Sequence, residues 1–301
     1  MATVEDTILQ TITPVTHDLG DFKVNRTLPG KQRTMVGPFI FVDEFGPARL
    51  PAGQGMDVRP HPHINLATVT YLFEGAIEHR DSIGSHAVIE PGAINLMTAG
   101  SGIVHSERSP EALRPTGPSL YGMQTWLALP DGKEEIDPAF DHVEAGALPV
   151  VEYGDARARV LMGTLWGATA ATPQHSPSIY ADIILGPDGS IPIDAEADER
   201  GVMLVGGGAE LDGQPLDLYA LYILRPGHEA RLSSASGGRL MLMGGQAFST
   251  QRFVFWNFVS SSRDRINQAK ADWKAMRFPL IPGDDAEYIP LPEVPLTVSY
   301  P

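Results

Sequence analysis

Apolar and polar residues alternate along most of the chain, and Gly, Pro or Asp turns break the alternation at intervals of roughly eight to twelve residues. Gly37-Pro-Phe-Ile-Phe-Val-Asp43-Glu-Phe-Gly-Pro47 reads as a short buried strand ending in a Gly-Pro loop, with loop continuing from Arg49 to Gly55. From Leu66 the chain is rich in Thr, Val, Tyr and Phe. Ala67, Val69, Tyr71 and Phe73 fall on one face of a strand that stops at Gly75. Asp81-Ser-Ile-Gly84 has hairpin-turn chemistry. Further strands are predicted over Ala93 to Thr98, Ile103 to Arg108 and Tyr121 to Leu129. In the second half they fall at Ile179 to Leu185, Val202 to Val205, Leu218 to Leu224 and Arg239 to Met243. Many short strands with such turns predict an all-β sandwich or barrel. A Pro-Gly turn between strands occurs in both halves, at Pro91-Gly92 and Pro226-Gly227, which points to two copies of one barrel. Pro130-Asp-Gly132 followed by Lys-Glu-Glu is the expected boundary, giving domains 1–131 and 132–301.

The pattern changes once. Ser262 is a good cap for a helix over 263–275, where Ile266, Ala269, Trp273 and Met276 form an apolar stripe suited to packing on a barrel. Prolines 279, 282, 290, 292, 295 and 301 predict an extended tail lying over the surface.

Composition narrows the partners. The chain has 301 residues, 43% hydrophobic and 20% charged, with a net charge of −15. That charge repels phosphate backbones and anionic lipid, so direct nucleic-acid binding is not expected. No apolar run is long enough to span a membrane, and the start carries no secretory signature. There is no cysteine, so a metal would be held by imidazole and oxygen, and a cytoplasmic location is expected.

Candidate chemistry lies in His61-Pro-His63 and His105-Ser-Glu107. Residues i and i+2 of a strand point the same way, so each pair presents two donors to one side. Two such strands facing across a barrel would bring three imidazoles and one carboxylate to a point. That set suits iron, manganese, nickel, copper or zinc. Octahedral ions would keep two positions for substrate, water or O₂, whereas zinc could close a tetrahedral structural site. His79 and Asp81 read as ordinary hairpin polar residues, with a role behind a ligand imidazole as the other reading. His17, His86, His142, His175 and His228 have no ligand-spaced neighbours, and no metal is expected in the second barrel. Trp126, Trp166, Trp256 and Trp273 read as core.

The run His61-Pro-His63, Thr68-Val-Thr-Tyr71, Glu74-Gly75, His79-Arg-Asp-Ser82-Ile-Gly84, Pro91-Gly92, Met97-Thr-Ala-Gly100-Ser-Gly102-Ile-Val-His105-Ser-Glu107 resembles the signature of the pirins, in the cupin superfamily. Gly55, six residues before His61, matches the opening of the first cupin motif. The resemblance is dense over 30–130 and looser over 150–250. It implies two cupin barrels face to face, the second degenerate, and one divalent metal, Fe(II) foremost, on His61, His63, His105 and Glu107. It implies either of two functions. One is a quercetin 2,3-dioxygenase using a flavonol-like substrate and O₂, with Glu107 as general base. The other is a non-catalytic regulator whose metal state governs a protein partner; a zinc-stabilised structural protein is a third reading. Two departures from the family pattern, Asn65 and Leu96, are expected beside the site, where they would alter the pocket lining.

Overall fold

In the computed structural model the described residues are 7–18, 22–194 and 196–293, together with the backbone of 297–298. Contacts divide them into two units, each drawn from separate stretches of chain. One unit comprises 18–24, 45–145 and 249–301; the other comprises 1–17, 25–44 and 146–248. The expected break near Asp131 is therefore not where the contacts divide. The helix and tail, assigned from the sequence to the second half, group with the first barrel.

The first barrel is made of two antiparallel sheets. Strands β1 (Asp57–His63), β6 (Ile103–Arg108), β3 (Ile77–Asp81) and β4 (His86–Ile89) lie side by side in that order. The opposing sheet runs β8 (Ala139–Val143), β5 (Ile94–Thr98), β2 (Leu66–Gly75) and β7 (Ser119–Ala128), and continues with strand Phe39–Arg49. That last strand passes through Gly46-Pro47, where the sequence predicts a loop. The turn into β6 needs its glycines. Gly100 has φ +49°, and a Cβ there would stand 1.9 Å from the Ile136 carbonyl oxygen.

Helix α1 (Arg263–Lys274) begins as predicted. The Ser262 hydroxyl accepts from the Arg265 N–H at 3.3 Å. Ile266, Ala269 and Trp273 are buried, but Met276 lies beyond the helix end at φ +53° and is 46% exposed, so it leaves the stripe. The buried face packs with Phe255, Phe258 and Ile281 against Ile64 and Val104. Ile64 and Val104 are neighbours of His63 and His105, so alternation points them to the opposite side of their strands. Helix and tail thus back the strands that carry the histidines. Among the described tail residues, the Ile289 N–H donates to the Pro60 carbonyl at 2.8 Å and the Trp273 indole N–H donates to the Ile289 carbonyl at 3.0 Å. Pro295 and Pro301 lie outside the described residues.

The second barrel repeats this layout. β10 (Gly189–Ile193), β14 (Ala230–Ser234), β12 (Glu210–Leu211) and Gln214–Pro215 form its four-stranded sheet. The larger sheet includes strand Ile8–Ile12, β13 (Leu221–Leu224), β11 (Glu199–Gly207), β15 (Gly238–Gly245) and β9 (Ser178–Leu185), in that order. No described helix is long and apolar enough to cross a membrane.

Candidate metal centre

β1 and β6 are hydrogen-bonded neighbours rather than strands facing each other across the barrel, as the sequence reading had them. His61 pairs directly with His105, and His63 pairs with Ile103. Antiparallel pairing places side chains opposite one another on one face, so His63 sits diagonally from His105. The three imidazoles converge, with one nitrogen from each within 4.8 Å of the others. All three residues are at most 7% exposed. Their ring centroids lie 4.4 to 5.0 Å apart.

Burial disfavours the imidazolium form. It pushes the His61 pKa down to about 4, against the hydrogen bond to the Arg59 carbonyl and with His79 acting in the same direction as burial. His63 and His105 are held well below the usual histidine range by burial and then by the other imidazoles. The rings are therefore neutral at pH 7 and offer lone pairs. The His61 Nδ1 donates to the Arg59 carbonyl at 2.8 Å, which leaves Nε2 to the cluster. The Nε2 atoms of His63 and His105 are 3.1 Å apart. Two lone pairs at that separation repel unless a proton or a cation lies between them. A buried, neutral, three-nitrogen donor set of this kind fits a divalent transition metal.

Glu107 is not within the tight imidazole cluster. A register shift follows His105, so Glu107 pairs with Val58 rather than with the next residue toward His61. Its Oε1 lies 3.2 Å from the Thr70 hydroxyl, whose single proton is shared between that carboxylate and the Gln124 side-chain oxygen at 2.8 Å. Burial raises the Glu107 pKa, with His79 and Thr70 pulling the other way. Thr70 and Gln124 carry no metal-like spacing in the sequence, so nothing marked them. Trp126, read as core, is buried, and it also stands edge-on to His63 at 5.1 Å.

His79 and Asp81 are buried at 4% and 0% exposure, not the ordinary exposed hairpin residues that the sequence suggests. They are brought inward because β3 pairs with β6, with Asp81 opposite His105 and His79 opposite Glu107. Asn65 and Leu96 do not line the site. Asn65 occupies the left-handed region at φ +56°, and its amide donates to Glu134, Glu135 and Gly100. Leu96 lies between Asn95 and Met97, which pair with Thr70 and Thr68 on the inward face, so Leu96 points away.

In the second barrel the corresponding pairing is Ile193 with Ala230 and Ile191 with Leu232. Ile191-Pro192-Ile193 stands where the first barrel has His61-Pro62-His63, and Leu232 stands where it has His105. These side chains are buried and apolar, so that position holds no donor set.

Comparison with known proteins bears on this arrangement. A sequence-family model described as Pirin matches residues 21–127, and one described as Pirin C-terminal cupin domain matches 180–279. A Caulobacter vibrioides protein named "Pirin-like protein" is 49% identical over 92% of this chain and 96% of its own length. A Pseudomonas aeruginosa protein named "Putative quercetin 2,3-dioxygenase" is 34% identical over 97% of this chain and 92% of its own. A crystal structure of quercetin 2,3-dioxygenase from Acinetobacter baumannii is 34% identical, covers 97% of both chains and superposes with a TM-score of 0.89.

Proposed function

The chain belongs to the pirin family, with two cupin barrels in an all-β fold, and from that premise we propose that it is a metal-dependent dioxygenase of the quercetin 2,3-dioxygenase type, acting on a flavonol-like substrate with O₂. The observation that carries this reading is the convergence of three neutral, buried imidazoles on one point, in a chain similar along its length to proteins named for that activity. We assign the metal to the Nε2 atoms of His61, His63 and His105, with Glu107 as fourth ligand, and take Fe(II) as the ion. Mn, Ni, Cu and Zn suit the same donors. A metal held there would supply Lewis acidity toward substrate oxygens and redox chemistry toward O₂.

The remaining steps belong to side chains. Glu107 takes the hydroxyl proton of the substrate as general base. The Thr70 hydroxyl fixes Oε1 and leaves Oε2 for the proton. Trp126 walls the cluster beside His63 and helps exclude water. The absence of cysteine fits a reducing compartment, and we place the protein in the cytoplasm.

Protein loaded anaerobically with Fe(II) is expected to consume quercetin and O₂ in step when both are supplied. Removal of the metal by a chelator should abolish turnover, and re-addition should restore it. Glu107→Gln should lower kcat by about 10²- to 10⁴-fold, the usual contribution of a positioned base. Metal-loaded protein that leaves quercetin untouched, or a Glu107→Gln variant as active as the parent, would overturn the assignment.

A further inference from the structure

We propose that His79 and Asp81 form a positioning dyad behind His105, which fixes the tautomer of that ligand and so decides which of its nitrogens is free to coordinate. The proposal rests on the assignment of His105 as a metal ligand made above.

The geometry is a chain of three buried groups. The His105 Nδ1 lies 3.5 Å from the His79 Nδ1. The His79 Nε2 lies 3.1 Å from the Asp81 Oδ2. Asp81 is an acceptor only, because burial would raise its pKa but hydrogen bonds from His79 and Ser85 hold it below the ordinary carboxylate value. A carboxylate at Oδ2 requires the His79 proton on Nε2. In the neutral ring the His79 Nδ1 is then an acceptor, so the proton between the two Nδ1 atoms belongs to His105. With Nδ1 protonated, the His105 Nε2 carries a lone pair and faces His63 at 3.1 Å, inside the cluster. Each link dictates the next, and the last one produces the tautomer a metal needs.

Two further observations argue that the dyad is built for this. Phe140 stacks on the His79 ring at 4.5 Å and 18°, which holds the ring plane. The two oxygens of Asp81 divide their work. Oδ1 accepts the backbone N–H groups of Ile83 and Ser85 and shapes the hairpin, while Oδ2 meets the His79 Nε2. An ordinary turn aspartate needs only the first set.

The division makes the dyad testable without dismantling the hairpin. Asp81→Asn keeps Oδ1 for the turn but replaces Oδ2 with an NH₂ donor. That donor inverts every link, so His79 carries its proton on Nδ1 and His105 on Nε2, with its coordinating lone pair lost. His79→Phe keeps the stack and removes the acceptor. His79→Asn places an amide oxygen near the old Nδ1 and should restore part of what His79→Phe loses.

The experiment reads imidazole ¹⁵N shifts by NMR on the metal-free full chain, together with Zn(II) affinity by competition with a chelating dye. The expected result is an Nδ1–H tautomer for His105 in the parent protein and an Nε2–H tautomer in Asp81→Asn. Zn(II) affinity should fall about 10- to 100-fold in Asp81→Asn and His79→Phe, and less in His79→Asn. An Nε2–H tautomer at His105 in the parent protein overturns the proposal, whatever the variants do. So does an unchanged tautomer and affinity in Asp81→Asn. Failure of the dioxygenase reading would be seen separately, as metal-loaded protein inert toward quercetin.

Discussion

At the scale of single residues, the chemistry of this chain depends on which buried polar groups have partners and which do not. Glu44 illustrates the cost of burial away from the histidine cluster. It is 0% exposed, its Oε2 accepts from the Asn25 amide at 2.7 Å, and its Oε1 has no partner among the described residues. Burial first, and then the neighbouring Asp43, raises its pKa to about 7 from 4.5, against the Asn25 hydrogen bond. The sign of the linkage follows from that direction. The unfolded chain releases the proton near pH 4.5 and the folded chain near 7, so stability falls as pH rises between those values. The full penalty above pH 7 is about 3 kcal/mol. Glu44→Gln removes the titration, so its melting temperature relative to the parent should rise by several degrees between pH 5 and pH 8, read by calorimetry across that range. A difference that does not depend on pH would show that Glu44 is not held neutral. The clustered histidines were legible in the sequence because a strand shows its period in the spacing of its own residues. For His79 and Asp81 the sequence left two readings open, ordinary hairpin residues or groups behind a ligand imidazole, because only the pairing of β3 with β6 turns them inward, and no local pattern records which neighbour a strand will have. Asn65 and Leu96 were misplaced for a related reason. Adjacency to a ligand in sequence is not adjacency in space when alternate residues face opposite ways.

Secondary elements tell the same story one level up. Strand positions followed from alternation and turn residues, and β6 runs over Ile103–Arg108 as predicted. What alternation did not predict is the bulge after His105, which offsets Glu107 from the imidazoles. Nor did it predict the strap behind β6. On the face opposite the histidines, the Ser106 hydroxyl donates to Asp284 at 2.6 Å, and Arg108 forks onto the same carboxylate at 3.1 and 2.9 Å. Burial works to raise the Asp284 pKa, yet Arg108 and Ser106 hold it below the ordinary value. Asp284 is mostly shielded, with its side chain 12% exposed, so the fork counts for more than a surface ion pair. Asp284→Ala should cost about 2 kcal/mol, since it leaves Ser106 and Arg108 without their shared acceptor. Because Ser106 lies between His105 and Glu107, the variant should also weaken Zn(II) binding at constant pH. Chemical denaturation and dye competition on one preparation would check both effects, and a loss of stability with unchanged affinity would confine the strap to a structural role.

Over the whole molecule, each barrel is completed by chain that is remote in sequence. The cluster behind the histidine strands contains eight buried residues, of which only Ile64 and Val104 precede Asp131. The other six come from 255–281. Deleting a buried aromatic or aliphatic side chain costs about 2–5 kcal/mol. Loss of all six is therefore comparable to or larger than the roughly 5–15 kcal/mol that holds a domain together. The second barrel is as dependent on the start of the chain. Strand Ile8–Ile12 pairs with β13, Phe39 lies 5.3 Å from Tyr180, and Arg33 bridges to Glu199 at 2.8 Å. Such long-range completion leaves no local trace, which is why a Pro-Asp-Gly turn looked like a sufficient boundary. A fragment of residues 1–131 should retain every proposed metal ligand and yet neither melt cooperatively nor bind Zn(II). A fragment of 132–301 should likewise fail to give a cooperative transition. Full-length protein, expressed and measured in parallel by calorimetry and size-exclusion chromatography, should show both properties. A 1–131 fragment that melts sharply and binds the ion would mean that the strands hold the histidines in place without α1 and the tail.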